Sequence, residues 1–432
     1  MIAAALLAAV VGALLLGVLT LRAVPHVPVP SVGDDDLRRD FTADERARER
    51  AFRRRVRPWG LTAVALDVVV PTVLVLSGAV TRVVRATPGP WFVGAVTGFL
   101  LLLLVGRLAT LPCGIAVRRA SLAVGLATGS WARWARDVAV ALALGALLGG
   151  AGVVGWIGAA RIWPESWWLP VAAAAAVLVV VGSFLLPVLV EPLFLRFAPM
   201  ADGPLRDDLL GLAADDGVVV RDVLVADASR RTSALNAYVS GLGRTRRIVV
   251  HDTLLEKGTE PEVRAVVAHE LGHVVAHDVR TGTLLGALGS AVVVAASSVV
   301  LAAPVVLGWA GASSAGDPAV VGLLVAGGAW LGLLSAPVQN AVSRRIERRA
   351  DVHSFALTAD PVTVARMQRT LAVTNLAPLR PPRLLHLWFG THPTSPERIA
   401  AARSWAAAHG LEVDDLVGAQ DQPGASGERS ST

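Results

Sequence analysis

Residues 262–278 read EVRAVVAHELGHVVAHD, and the chemistry and fold of the chain both turn on them. The stretch contains His269-Glu270-Leu271-Gly272-His273, an H-E-x-x-H pattern. On an α-helix, positions i and i+4 lie one turn apart on the same face. Two imidazoles so placed share one tetrahedral zinc, with Zn–N bonds of about 2.0–2.1 Å. Glu270 follows the first histidine and reaches the water on such a metal without binding the metal, which is the place of a general base. Pro261 and Glu262 suit a first helical turn, and Ala265, Val266, Val267 and Ala268 continue it as an apolar run. Two incidental histidines on a helix are the rival reading. At this chain's His and Glu frequencies the pattern arises by accident on the order of one per cent of the time.

Two histidines leave a zinc site incomplete. His277 lies eight residues beyond His269, roughly 12 Å along a helix at 1.5 Å per residue, so one ion does not hold both. It reads as a helix-end residue or one that supports a ligand from behind. A third histidine of the metzincin kind requires Gly at 276 and His at 279, where the chain has Ala276 and Val279. A carboxylate from a later helix remains, as in His2Glu sites. Glu347 and Asp351, in Glu347-Arg348-Arg349-Ala350-Asp351, share a helical face. Glu347 suits the metal, and Asp351 suits orientation of a ligating imidazole. The same spacing suits a surface helix whose acids pair with Arg344, Arg345, Arg348 and Arg349, and the pattern alone leaves both open. Glu397 is the next carboxylate in line.

The chain has 432 residues, of which 54% are hydrophobic, too apolar for an ordinary soluble domain. A single cysteine, Cys113, excludes a disulfide framework and a thiolate metal cluster, and in its apolar run it reads as packing. Lys257 is the only lysine, and this Arg-, Ala-, Val- and Gly-rich usage suggests a GC-rich bacterial genome. The net charge of +6 does not call for a nucleic acid, because the arginines sit in short loops beside apolar spans.

Seven apolar stretches are long enough to cross a bilayer: about 1–24, 59–80, 91–117, 138–160, 168–190, 284–307 and 320–338. The first lacks a basic leading region and has too long an apolar core for a cleaved signal peptide, so it reads as a retained helix. The charged segment 34–57, dense in arginine near its end, reads as a solvated helical loop. Asp67 and Arg107 interrupt spans two and three, where ionisable groups face a cavity or a partner. Gly145 and Gly149 give span four small-xxx-small spacing for close packing. The resulting organisation is 1–190, five spans with charged loops; 191–281, the first half of a catalytic domain; 282–340, spans six and seven; 341–412, its second half; and 413–432, a disordered tail. Within the first half, 205–214 reads as a helix, 223–226 as a strand, and 236–240 with 247–251 as a hairpin. Asn340–Ala356 continues the seventh span as a helix. With seven spans, the Arg-rich first loop, the 118–136 loop and both soluble blocks fall on one side. The opposite loops are poor in arginine, so the positive-inside rule places both blocks in the cytoplasm.

At this point the residues resemble a known family: the integral-membrane M48 zinc peptidases of the CAAX prenyl protease type, usually called Ste24. Four regions carry the resemblance in the family's order. They are Pro192-Leu193-Phe194 with 197–203; 233–238 with 247–255; the H-E-x-x-H; and Glu347–Asp351 followed by Thr391-His392-Pro393 and Glu397-Arg398-Ile399. The resemblance covers about 191–403. It implies a mainly α membrane protein, with seven transmembrane helices around a chamber. A cytoplasmic zincin-like catalytic domain, α with a small β-hairpin sheet, carries one Zn2+ per chain. It assigns zinc to His269, His273 and Glu347, the general base to Glu270, second-shell support to Asp351, and substrate or transition-state contacts to Asn236 and His392. Peptide or membrane-protein substrates, a lipid bilayer, the plasma membrane and peptide-bond hydrolysis follow as expectations. Prenylated substrates are not expected of a bacterial chain. A chaperone or scaffold holding apolar segments in the chamber is the alternative, but holding does not require Glu270. A transporter using Asp67 and Arg107 leaves the zinc set unexplained.

Overall fold

The structure, a computed structural model, describes residues 2–413 apart from 29 and 242, together with residue 416. The expected tail lies almost wholly outside the described residues.

Helix α1 (Ile2–Ala23) is followed by α2 (Asp34–Asp40) and the long α3 (Ala43–Leu76). A capping box starts α3: Glu45 N–H donates to Thr42 Oγ1 at 3.2 Å, and Thr42 N–H to the Glu45 carboxylate at 2.9 Å. Gly78, at φ 69°, turns the chain into α4 (Ala79–Ala86). Then come α5 (Trp91–Ala123), α6 (Trp131–Ile162) and α7 (Trp168–Leu185). Pro187 has no N–H to continue the ladder, and the helix passes through a π turn (Leu186–Val190) into α8 (Glu191–Phe194). Next are β1 (Phe197–Pro199), α9 (Pro204–Asp215), β2 (Asp222–Ala226), β3 (Ala237–Ser240), β4 (Arg247–His251), α10 (Asp252–Lys257) and α11 (Glu260–Val275). The chain closes with α12 (Asp278–Val300), α13 (Pro304–Trp309), α14 (Val321–Thr358), α15 (Pro361–Thr374), α16 (Arg383–Phe389) and α17 (Ser395–Ala408).

Seven helices among the described residues are long and apolar enough to span a membrane: α1, α3, α5, α6, α7 with its extension, α12 and α14. They neighbour one another as a ring. α14 packs on α3, α3 on α5, α5 on α6, α6 on α7, α7 on α12 and α12 on α1. Arg349 of α14 donates to the carbonyl of Ala23 at the end of α1 at 3.1 Å and closes the circuit. Two apolar cores fill one end of the ring. One gathers Val75, Val80, Leu102, Ile157 and Val321, the other Trp167, Val294, Leu301 and Val320. At the other end stands the domain that carries the β-strands. Close packing of α6 on α5 follows from the expected small residues: a Cβ on Gly149 would sit 2.2 Å from the Phe99 ring.

Three expectations need amendment. Span six begins at Asp278 and stops at Val300, because Pro304 opens a separate short helix. The Arg-rich loop is not simply solvated: it is the first half of α3, with Phe52 5% exposed, and Arg369 grips Glu45 at 2.8 Å. The hairpin β3/β4 belongs to a four-stranded mixed sheet in the order β1-β2-β4-β3, with β2 parallel to β4. Its edge strand β3 packs against α11. One core joins this sheet to α2, α11, α14 and α17 through Phe41, Leu209, Ile248, Leu271, Phe355 and Ile399, each essentially buried.

Candidate metal centre

α11 presents His269 and His273 one turn apart, and α14 crosses it carrying Glu347 and Asp351. Gly272 makes that crossing close: a Cβ there would lie 3.1 Å from His353 Cβ and 3.2 Å from Ala350 Cα. A side chain at 272 would push the acidic helix off the histidines. Glu347 and Asp351 are 8% and 2% exposed, so they do not lie on a surface helix, and the reading left open in the sequence resolves to a buried face.

The three candidate donors, one ring nitrogen each from His269 and His273 and a Glu347 oxygen, lie within 4.8 Å of one another. Oε2 of Glu347 stands 3.3 Å from His269 Nε2, and Oε1 stands 3.6 Å from His273 Nε2. Tetrahedral zinc with bonds of about 2.0–2.1 Å separates its donors by about 3.3 Å. Behind each imidazole stands an acid. Asp351 Oδ1 lies 3.1 Å from His269 Nδ1, and Asp278 Oδ2 lies 2.9 Å from His273 Nδ1. Each acid also takes an arginine: Arg398 Nε donates to both Asp351 oxygens at 3.0 Å, and Arg349 donates to Asp278. With Nδ1 turned to its acid, each ring directs Nε2 at Glu347, the orientation that leaves Nε2 for a metal. Glu347 Oε2 is buried without a hydrogen-bond partner, an orphan acceptor whose natural companion is a cation. Burial and the Arg398 charge oppose protonation of His269, but Asp351 and Glu347 outweigh them and lift its pKa to about 9. Two imidazole nitrogens and a carboxylate converging where positive charge is favoured fit a divalent metal.

The centre opens into a cleft of about 310 Å³ that Glu270, Asn236, Tyr238, His392 and Arg398 also line. Burial raises the Glu270 carboxyl above its ordinary range, against the pull of His269 and His273. Asn236 immediately precedes edge strand β3. Tyr238 on that strand donates to Glu191 at 3.2 Å, tying the cleft wall to the exit of the fifth span. His392 stands with Nε2 3.4 Å from Glu347 Oε1. Its loop is fixed from α14, where Arg344 donates to the carbonyls of His386 and Gly390 at 3.2 and 2.5 Å. All the predicted site residues thus meet at one place.

His277 does not join them. It adopts φ 56° as the hinge between α11 and α12, and the next residue, Asp278, swings back onto His273. Glu397 is occupied in capping α17, accepting from Thr394 N–H at 2.7 Å. Sequence reading missed Asp278, Arg349 and Arg398. A buried acid on the metal face requires a cation, but several arginines competed for that role.

The peptidase family M48 model matches residues 200–406. The uncharacterized metalloprotease YhfN of Bacillus subtilis is 29% identical over 353 residues, 78% of this chain and 81% of that one. CAAX prenyl protease 1 of Saccharomyces cerevisiae is 39% identical over 95 residues, covering 22% of this chain and 21% of its own length. The crystal structure of S. mikatae Ste24p superimposes with a TM-score of 0.76 at 19% identity, over 92% of this chain and 98% of that one. The chain carries a peptidase family M48 domain over residues 200–406. It is a membrane metallopeptidase of the Ste24 type, and the fold likeness extends through its spans as well as its catalytic domain.

Proposed function

We propose that this M48 protein is a zinc endopeptidase whose centre is held by His269, His273 and Glu347, with Glu270 as general base. The observation that carries the reading is the convergence of two anchored imidazoles and an orphan carboxylate oxygen in a cleft that Glu270 shares. When bound, zinc supplies Lewis acidity, polarising the scissile carbonyl and bringing the pKa of its water to about 7. Asp351 and Asp278 keep the two ligand rings oriented. Glu270 takes the proton of the attacking water and returns it to the leaving amine. A peptide adds along the free edge of β3, where backbone hydrogen bonds give affinity. Asn236 contacts its backbone, and His392 donates to the oxyanion that develops on the carbonyl.

An edge strand reads mostly backbone, so access through the chamber supplies selectivity for membrane-derived or apolar peptides. The arginine-rich ends of the spans favour a cleft on the cytoplasmic side of the plasma membrane. The names of the relatives point to CAAX-type substrates, and this chain shares the reaction type with them rather than the prenyl group. The test is hydrolysis of apolar peptides by the purified protein beside Glu270→Gln. Equal turnover in the two would overturn the assignment, and a wild type that binds such peptides without cutting them would establish a holding role.

A further inference from the structure

The support behind His273 reaches into the membrane. Asp278, 8% exposed and the first residue of α12, receives His273 Nδ1–H on one oxygen and Arg349 on the other. Arg349 sits on α14 two residues beyond Glu347, and its other nitrogen donates to the carbonyl of Ala23 at 3.1 Å. That carbonyl belongs to the last turn of α1, where the last four carbonyls of a helix have no partner within it. A single arginine therefore satisfies a helix end and aims the acid that aims the ligand.

The other histidine is supported differently. Behind His269, Asp351 and Arg398 come from α14 and α17, with no membrane helix end among the partners. α1 in turn is held against α12, where a Cβ on Gly12 would lie 2.6 Å from Val292 Cγ2. Valine is stiff at χ1, so a larger side chain at 12 displaces the helix rather than the valine.

We propose that Asp278 and Arg349 are positioning residues for His273, and that the exit of α1 is part of the metal centre's support through the carbonyl of Ala23. The proposal rests on the metal reading above. Its consequence is that metal retention depends on how the first span packs, although that span contributes no ligand.

The experiment measures zinc affinity of the full-length protein in detergent by chelator competition, together with the unfolding midpoint of the metal-stripped protein. Zinc alone is the probe. Asp278→Asn should weaken zinc by roughly 10–100-fold, the effect expected on losing such a partner. Arg349→Met should weaken it in the same direction, Arg349→Lys less, and Asp278→Asn with Arg349→Met no more than Asp278→Asn alone, because the two act in series. Gly12→Leu should weaken zinc in the wild-type background and leave it unchanged beside Arg349→Met. Wild-type affinity in Arg349→Met would overturn the positioning role. A loss of metal-free stability at unchanged affinity would make the contact merely structural and overturn it equally. An equal effect of Gly12→Leu in both backgrounds would overturn the Ala23 link. A wild type that does not hold zinc would instead overturn the metal reading, and this inference with it.

Discussion

Nε2 of His392 stands 3.4 Å from Oε1 of Glu347, although the two belong to different elements and His392 is 58% exposed at its side chain. The carbonyl clamp from Arg344 fixes the loop that makes this approach. A group so close to the centre, and open to the cleft, is placed to touch substrate. His392→Ala should leave zinc content at the wild-type level and lower kcat by about 10²–10³-fold, the scale for loss of one oxyanion donor. Parallel measurement of metal content and turnover checks this, and loss of metal in His392→Ala would make His392 a ligand instead.

Metal removal should be stoichiometric. The protein purified in detergent should carry one zinc per chain, lose it to a chelator along with its peptidase activity, and regain both when zinc is returned. An active preparation without metal would sink the site.

The spans and the metal helix were legible because their signals are periodic and local. Apolar runs of bilayer length and an i, i+4 pair of histidines require no knowledge of the rest of the chain. The boundary of α3 was not legible, because Ala43–Leu76 is one helix whose charged half packs on the catalytic domain through Phe52 and Glu45, contacts distant in sequence. Asp278 escaped for a different reason. It is five residues beyond His273, off the helical face, and only the left-handed turn at His277 brings it back. Arg398 escaped because Asp351 had nearer arginines on its own helix, and the one that pairs with it arrives from α17.

Orientation is open to direct measurement. A reporter fused after the last residue should behave as cytoplasmic, and one inserted after Ser313, in the exposed turn between α13 and α14, as external. Reversed results would place the cleft on the outer side of the membrane.

Glu270 and Glu347 are both carboxylates at the centre, and replacing either by glutamine removes the same charge. Their surroundings predict different failures. Glu347 offers both oxygens to the histidine nitrogens, at 3.3 and 3.6 Å, and one of those oxygens has no other partner. Glu347→Gln should therefore lose zinc and activity together. Glu270 lines the cleft beside the three donors without belonging to the set. Glu270→Gln should keep its zinc while turnover falls by about 10²–10⁴-fold or more, since the amide does not accept the water's proton. Asp351→Asn should lie between them, because it leaves every ligand in place but takes the charge from the acid that orients His269 and faces Arg398. Its zinc affinity should fall by roughly 10–100-fold, and excess zinc should restore its turnover. Excess zinc should do nothing for Glu270→Gln. Zinc content and turnover for the three variants, at limiting and at excess metal, separate a ligand, a base and a positioning residue in one table of measurements. Full zinc and full activity in Glu347→Gln would remove Glu347 from the centre. Because Glu397 is engaged in capping α17, the third donor would then fall to His392.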